Sequence, residues 1–146
     1  MRFKTGIAIA ACALSAVLLT GTAGFAETLN VKASLAASAE VPPNTSAGTG
    51  TLSGTYDTAT KILTYTVTYS GLTGPASMAH FHGPASAGKN APVEIPFKGD
   101  LASPITGTVT LTEEQAKNLL DGETYFNIHT AANKGGEVRG QISAAK

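Results

Sequence analysis

The stretch Met78-Ala79-His80-Phe81-His82-Gly83-Pro84 decides how the rest of the chain can fold. Its pattern is that of a short β-strand that the Gly-Pro pair ends. Side chains alternate between the two faces of a strand, so His80 and His82 point one way while Phe81 points the other. One face of one strand therefore carries two of the three histidines in the chain.

The third histidine lies in a second strand-like stretch, Tyr125 to Ala132. Here Phe126 and Ile128 share one face, and His129 lies on the other face together with Tyr125 and Asn127. If the apolar residues of both strands face the core, all three histidines face away from it. The sequence alone leaves open whether the two strands are neighbours.

Residues 1–26 have the anatomy of a secretory signal peptide. Arg2 and Lys4 precede an apolar run from Gly6 to Leu19, and Gly24-Phe25-Ala26 supplies small residues for a cut after Ala26. A lipoprotein-like stretch ending at Cys12 is disfavoured because the apolar run continues past it. No second apolar run follows, so we expect a secreted or periplasmic protein without a membrane span in its mature form.

The remaining residues, 27–146, are long enough for one domain with its own core. Removal of Arg2 and Lys4 leaves eight basic and ten acidic residues, a net charge of −2. This charge provides no basic field for a nucleic acid partner. Cys12 is the only cysteine, so a mature domain has neither a disulfide nor a cysteine nucleophile, and its hydrophobic core must hold it together.

Alternation of apolar and polar residues predicts seven or eight short strands in this domain. Leu29 to Leu35 and Ile105 to Leu111 are two of them, and residues 50–69 form a hairpin whose turn centres on Asp57. Residues 44–55 are rich in Thr, Ser and Gly and could be a flexible linker, but the strong partner strand that follows favours a strand.

The alternation of apolar and polar residues changes to a helical spacing at one place, which predicts one short helix near Glu113 to Asp121. Thr112 and Gln115 have the spacing of a capping box, and Gly122 is in place to end the helix. Many short strands with frequent turns and one helix indicate an all-β fold, an antiparallel β-sandwich or a Greek-key barrel.

The order of these motifs resembles the CHRD domain, a module named after chordin that also occurs as single-domain secreted bacterial proteins. The resemblance spans nearly all of residues 29–143. Its pieces are Ala39 to Pro43, Thr49 to Gly54, Leu63 to Gly71, Ala79 to Ala85, Leu111-Thr112, Tyr125 to Ala132 and Gly135 to Ile142. The resemblance implies an exported binding or interaction domain, because the family is defined by motifs more than by a biochemical activity.

A looser resemblance is to copper–zinc superoxide dismutase, whose Greek-key barrel uses a His-x-His strand and a later strand histidine as copper ligands. By that resemblance His80, His82 and His129 take these three roles. The departures are large, since no fourth histidine bridges to zinc, no zinc-binding loop is visible and the mature chain cannot form the disulfide. The resemblance therefore implies at most a copper-only site.

The residues themselves support two interpretations of the histidines. In the first, His80, His82 and His129 form a three-imidazole site for a divalent transition metal, copper first, because imidazole suits copper and no thiolate competes. In the second, they are polar residues of a strand face that hydrogen-bond to loops. The two function classes that follow are a non-catalytic binding domain and a copper-dependent redox enzyme.

Five further residues bear on the hypothesis of a three-histidine metal site. Glu40 is either an additional ligand or an outer partner of an imidazole, although a solvated strand end explains it more simply. Glu137 and Arg139 share a strand face and are expected to pair with each other or with a neighbour, as a surface pair of little energetic weight. Tyr125 and Asn127 flank His129 on its strand face, where they either line a shallow pocket or form ordinary sheet surface. No phosphate-binding loop, serine elbow or placed pair of carboxylates suggests another chemistry.

Overall fold

The computed structural model describes residues 26–146, so the signal-peptide prediction lies outside the described residues. This part of the chain forms nine strands, one α-helix and one 3₁₀ turn. In chain order they are β1 (Thr28–Ala36), a 3₁₀ turn (Ala37–Ala39), β2 (Thr49–Asp57), β3 (Ile62–Ser70), β4 (Ala76–His82), β5 (Val93–Pro96), β6 (Ile105–Thr110), α1 (Glu113–Leu120), β7 (Tyr125–Thr130), β8 (Val138–Gln141) and β9 (Ser143–Ala145).

All strand pairs are antiparallel, and they form one curled sheet in the order β5-β4-β7-β8-β1-β2-β3-β6. β1 and β8 are joined by a single residue pair, Ala36 with Arg139, which divides the sheet into two halves. The prediction of a mostly β, antiparallel fold with one helix is confirmed, and the strand count is nine rather than seven or eight.

The two halves of the sheet pack face to face through aromatic side chains. Tyr65 of β3 meets Phe81 of β4 edge-on, with ring centroids 4.9 Å apart, and Phe81 meets Phe126 of β7 at the same distance. Both phenylalanines are fully buried. The predicted phase is therefore correct, because Phe81 and Phe126 face the core and the histidines lie on the other side of β4 and β7.

The central strands follow from the alternating pattern. β2 and β3 pair in register from Thr49 with Ser70 to Tyr56 with Leu63, and Asp57 accepts hydrogen bonds from the turn amides of Ala59 and Thr60. The predicted hairpin is thus confirmed, and the strand interpretation of residues 44–55 holds from Thr49 onward.

The helix begins and ends where its capping residues predict. Thr112 accepts a hydrogen bond from the backbone N–H of Gln115, and the Gln115 side chain accepts one from the Thr112 amide. Gly122 has φ +72°, a conformation that glycine adopts without the steric cost of a Cβ. At the other end, the reciprocal bonds of Thr112 and Gln115 satisfy two backbone amides that have no partner within the helix.

A loop covers the polar side of β7 and β8. We call residues 83–92 the covering loop, and its backbone is tied down by Ala85, whose N–H donates to Glu123, and by Asn90, whose amide donates to Val41. All six residues of β7 are buried as a result. The expectation that the histidine face is an outward surface is therefore only partly correct, since this loop shields much of it.

The first and last strands lie side by side. Asn30 of β1 pairs with Ala145 of β9, and the Lys146 ammonium lies 2.8 Å from the Glu27 carboxylate. Among residues 26–146, no helix has both the length and the hydropathy needed to cross a membrane.

Candidate metal centre

The three histidines meet on the polar side of β4 and β7. These strands are neighbours, with His80 opposite Asn127 and Met78 opposite His129. One ring nitrogen from each histidine lies within 4.8 Å of the others, and His80 Nδ1 is 3.2 Å from His129 Nε2. The predicted convergence of the three rings is confirmed. A common metal with bonds of about 2.0–2.1 Å requires nitrogens roughly 3–4 Å apart, so only a small closure of the widest separation is needed.

Backbone carbonyls fix the orientation of two of the rings. Nδ1 of His82 lies 3.0 Å from the Ala91 carbonyl oxygen, and Nδ1 of His129 lies 2.8 Å from the Lys134 carbonyl oxygen. A carbonyl can only accept, so both Nδ1 atoms carry the proton and both Nε2 atoms carry a free electron pair. This second contact of each ring is the arrangement that orients metal-binding histidines in proteins.

The environment of His80 and His82 disfavours protonation of their rings and lowers the pKa of both. Burial lowers the pKa of His80, and the neighbouring His129 and His82 lower it further. Burial also lowers the pKa of His82, although hydrogen bonding at Ala91 and Asn127 partly offsets the effect. A lowered imidazole pKa reduces the competition of protons for the nitrogen electron pairs, which favours metal binding at neutral pH.

An aromatic stack holds His82 from the side. The Tyr125 ring is parallel to the His82 ring at a centroid distance of 4.7 Å, and the Arg139 guanidinium carbon lies 3.4 Å from the Tyr125 centroid. Arg139 comes from β8 and His82 from β4, on opposite sides of β7. Arg139 also donates to the Lys89 carbonyl and the Asn90 side chain, which ties the covering loop to the stack.

Glu40 is a buried residue and not the solvated strand end that the sequence favoured. Its exposed fraction is 5%, and Oε1 has no hydrogen-bond partner among the described residues. Burial raises the pKa of Glu40, while the Arg139 charge and the Asn127 amide lower it in part. The carboxylate reaches Asn127 because Gly136 has no side chain, since a Cβ there would lie 2.2 Å from Glu40 Oε1. Glu40 is thus two contacts away from the histidines and does not belong to their cluster.

The predicted surface pair of Glu137 and Arg139 is wrong. Both side chains are essentially inaccessible to solvent, at 0% and 1% exposure. The Glu137 carboxylate instead accepts hydrogen bonds from four other residues, which are Ser46, Thr73, Thr130 and Asn133. Loops and the end of β7 supply the partners of Glu137, and the covering loop supplies Lys89 to Arg139. Each charge is therefore satisfied separately inside the fold.

Solvent reaches the histidines from one side. His82 and His129 are 8% and 6% exposed, whereas His80 is half-buried and Met78, opposite His129, is 45% exposed. A cleft of about 440 Å³ between β5 and β6 is lined by residues such as Tyr65 and Phe97 and by none of the histidines. The candidate metal site is therefore the compact cluster of three histidines, which is separate from this cleft.

The sequence placed Asn127 only as a residue that could line a shallow pocket, whereas the structure places it in contact with two of the histidines. Its side chain is 2% exposed, and Oδ1 lies 3.0 Å from Nε2 of both His82 and His129. Its position two residues before His129, on the same strand face, was the available signal. The Ala91 and Lys134 carbonyls left no such signal, because backbone groups of loops have no pattern in the sequence.

Comparison with protein families gives one finding. Residues 31–142 match the family model of the CHRD domain. No curated protein and no solved structure matches the chain. The match spans strands β1 to β8 and includes all three histidines.

Proposed function

The chain belongs to the CHRD domain family, and on that premise we propose that it is an exported binding module whose three histidines hold one transition-metal ion, copper first. The observation that carries this proposal is the convergence of three ring nitrogens within 4.8 Å, two of them with their electron pairs directed inward by backbone carbonyls.

The chemistry of the donors favours copper. Neutral imidazoles bind copper, zinc and nickel, and at equal availability the divalent ions follow the Irving–Williams order, in which copper binds most tightly. The domain that remains after signal-peptide cleavage has no cysteine. Nitrogen donors therefore decide which metal is bound.

We expect the purified protein to bind one Cu²⁺ with a dissociation constant below micromolar. His82→Ala and His129→Ala should each weaken binding by at least about 100-fold, because loss of an outer partner alone typically costs 10- to 100-fold. Isothermal titration calorimetry with a competing chelator measures this. Gln115→Ala, on the helix, is the control and should bind as the unchanged protein does. No affinity tighter than micromolar in the unchanged protein would refute the proposal.

A copper-dependent redox enzyme is the second candidate function, and the access to solvent beside His80 supports it. A small oxygen species could approach the bound ion from that side. The same copper-loaded proteins, assayed for superoxide turnover, separate the two functions. Equal rates for the unchanged protein and the His82→Ala variant remove the enzyme and leave the binding module.

Export is a further part of the proposal, and it rests on the signal-peptide pattern of residues 1–26. We expect the protein recovered from outside the cytoplasm to begin at Glu27. Mass spectrometry of its N-terminal peptide tests this. Detection of an intact Met1, or of a lipid on Cys12, would contradict it.

A further inference from the structure

Asn127 occupies the centre of the histidine cluster. It lies on β7 between His80 of β4 and Arg139 of β8, and it is paired in register with both. Its side chain is 2% exposed, so water does not compete for its amide. A buried amide in this position must find partners for both its oxygen and its nitrogen.

The contacts of Asn127 Oδ1 bring three electron pairs together. The oxygen lies 3.0 Å from Nε2 of His82 and 3.0 Å from Nε2 of His129. Both Nε2 atoms lack a proton, because the protons are held on the Nδ1 atoms by backbone carbonyls. His80 Nδ1, 3.2 Å from His129 Nε2, can donate to one of these acceptors, whereas a cation among the rings would attract all three at once.

The side of the Asn127 amide away from the rings faces Glu40. A Cβ at Gly136 would lie 2.2 Å from Glu40 Oε1 and 2.8 Å from Asn127 Nδ2, so the amide nitrogen is on the Glu40 side. The amide oxygen is thereby directed toward the histidines.

We propose that Asn127 Oδ1 is a fourth ligand, which makes the centre a site of three nitrogens and one oxygen. This inference rests on the proposed function, because it names a ligand of the same metal. The separations of 3.0 Å fit, since donors bonded at about 2.0–2.2 Å to one tetrahedral or tetragonal ion lie roughly 3 Å apart.

An amide oxygen selects the oxidation state of copper. Oxygen and nitrogen donors together suit Cu²⁺ and Zn²⁺, whereas Cu⁺ is a soft ion that gains most from sulfur and gains little from an amide. Asn127 therefore stabilises the divalent ion more than the monovalent one, and it lowers the reduction potential of the bound copper.

The test compares the affinities of the unchanged protein and Asn127→Leu for Cu²⁺ and Cu⁺, each measured with a competing chelator specific for that oxidation state. We expect Cu²⁺ affinity to fall about 10- to 100-fold and Cu⁺ affinity to change less than about 3-fold. The electron paramagnetic resonance spectrum of bound Cu²⁺ should also change. Asn118→Leu, which removes a buried amide beside Glu94, is the matched control and should leave both affinities unchanged.

Each outcome decides a separate question. Cu²⁺ affinity and spectrum equal to those of the unchanged protein would overturn the fourth ligand and leave the three-histidine proposal standing. An equal loss of affinity for Cu²⁺ and Cu⁺ would also overturn the fourth ligand, because that result would indicate that Asn127 only holds the histidine rings in place. Absence of binding by the unchanged protein removes the metal site altogether. If Asn127→Leu does not fold by circular dichroism, Asn127→Ser, too short to reach the ion, is measured in the same way.

Discussion

Replacing Glu137 with glutamine is expected to lower the free energy of unfolding at pH 7 by about 3 kcal/mol. Burial alone would raise the pKa of this carboxyl, but hydrogen bonds from Ser46, Thr130 and Thr73 outweigh it and lower the pKa from 4.5 to about 2. Glutamine has the same shape but offers an N–H₂ group where the carboxylate accepts. That group would face the amide of Asn133, which is also a donor.

The effect has a defined pH dependence. A carboxyl whose pKa is lower in the folded state contributes its full stability above its ordinary pKa and loses that contribution as pH falls. For Glu137 the loss runs from about pH 4.5 down to about pH 2. Guanidinium unfolding at pH 7 and pH 3 should therefore show a smaller difference between the unchanged protein and Glu137→Gln at the lower pH.

Glu113→Gln provides the control for this experiment. Glu113 pairs with Lys61 on the surface, with 84% of its side chain exposed, and exposed pairs contribute roughly 0–1 kcal/mol. An equal effect of the two substitutions at pH 7 would contradict the role assigned to Glu137.

Replacing Arg139 with methionine is expected to cost about 3 kcal/mol or more of stability at pH 7, because the loss of one buried charge leaves its partner uncompensated. Methionine approximates the length of the side chain. The guanidinium packs on the Tyr125 ring, donates to the Lys89 carbonyl and holds down the pKa that burial raises for Glu40. Without it the Glu40 carboxylate is buried with no positive charge to attract it.

A double-mutant cycle with Glu40→Gln isolates this interaction. Glu40→Gln should recover part of the stability that Arg139→Met loses, because it removes the uncompensated charge. Thermal and chemical unfolding of the single and double variants measures the coupling energy. Strictly additive losses would show that Arg139 stabilises the fold only through Tyr125 and the covering loop.

The strands and the helix could be predicted from the sequence because their signals are local. Alternation over β3 and β4, and the capping box at Thr112, each depend on residues close together in the chain. The phase of Phe81 and Phe126 was sufficient to place the histidines on the side of the strands away from the core.

The pairing of β4 with β7 could not be predicted, because the two strands are separated by β5, β6 and α1 and their adjacency is a property of the whole sheet. The burial of Glu40, Glu137 and Arg139 was missed for a related reason. Each is enclosed by loop segments, among them the covering loop, whose composition indicates only that they are loops. The sequence therefore assigns a polar residue on a strand face to the exposed surface, even where another segment of the chain folds over that residue.

The pairing of Asn30 with Ala145 has a consequence for how this fold can be joined to other proteins. The polypeptide enters and leaves the domain at one place, where Lys146 also meets Glu27. Folds with this geometry accept insertion into a surface loop of a host protein, and they tolerate circular permutation, because a short linker bridges the two ends. A permutant opened in the turn at Thr58-Ala59-Thr60 would leave the histidine cluster on uninterrupted strands, and copies in tandem would attach to their neighbours from a single side.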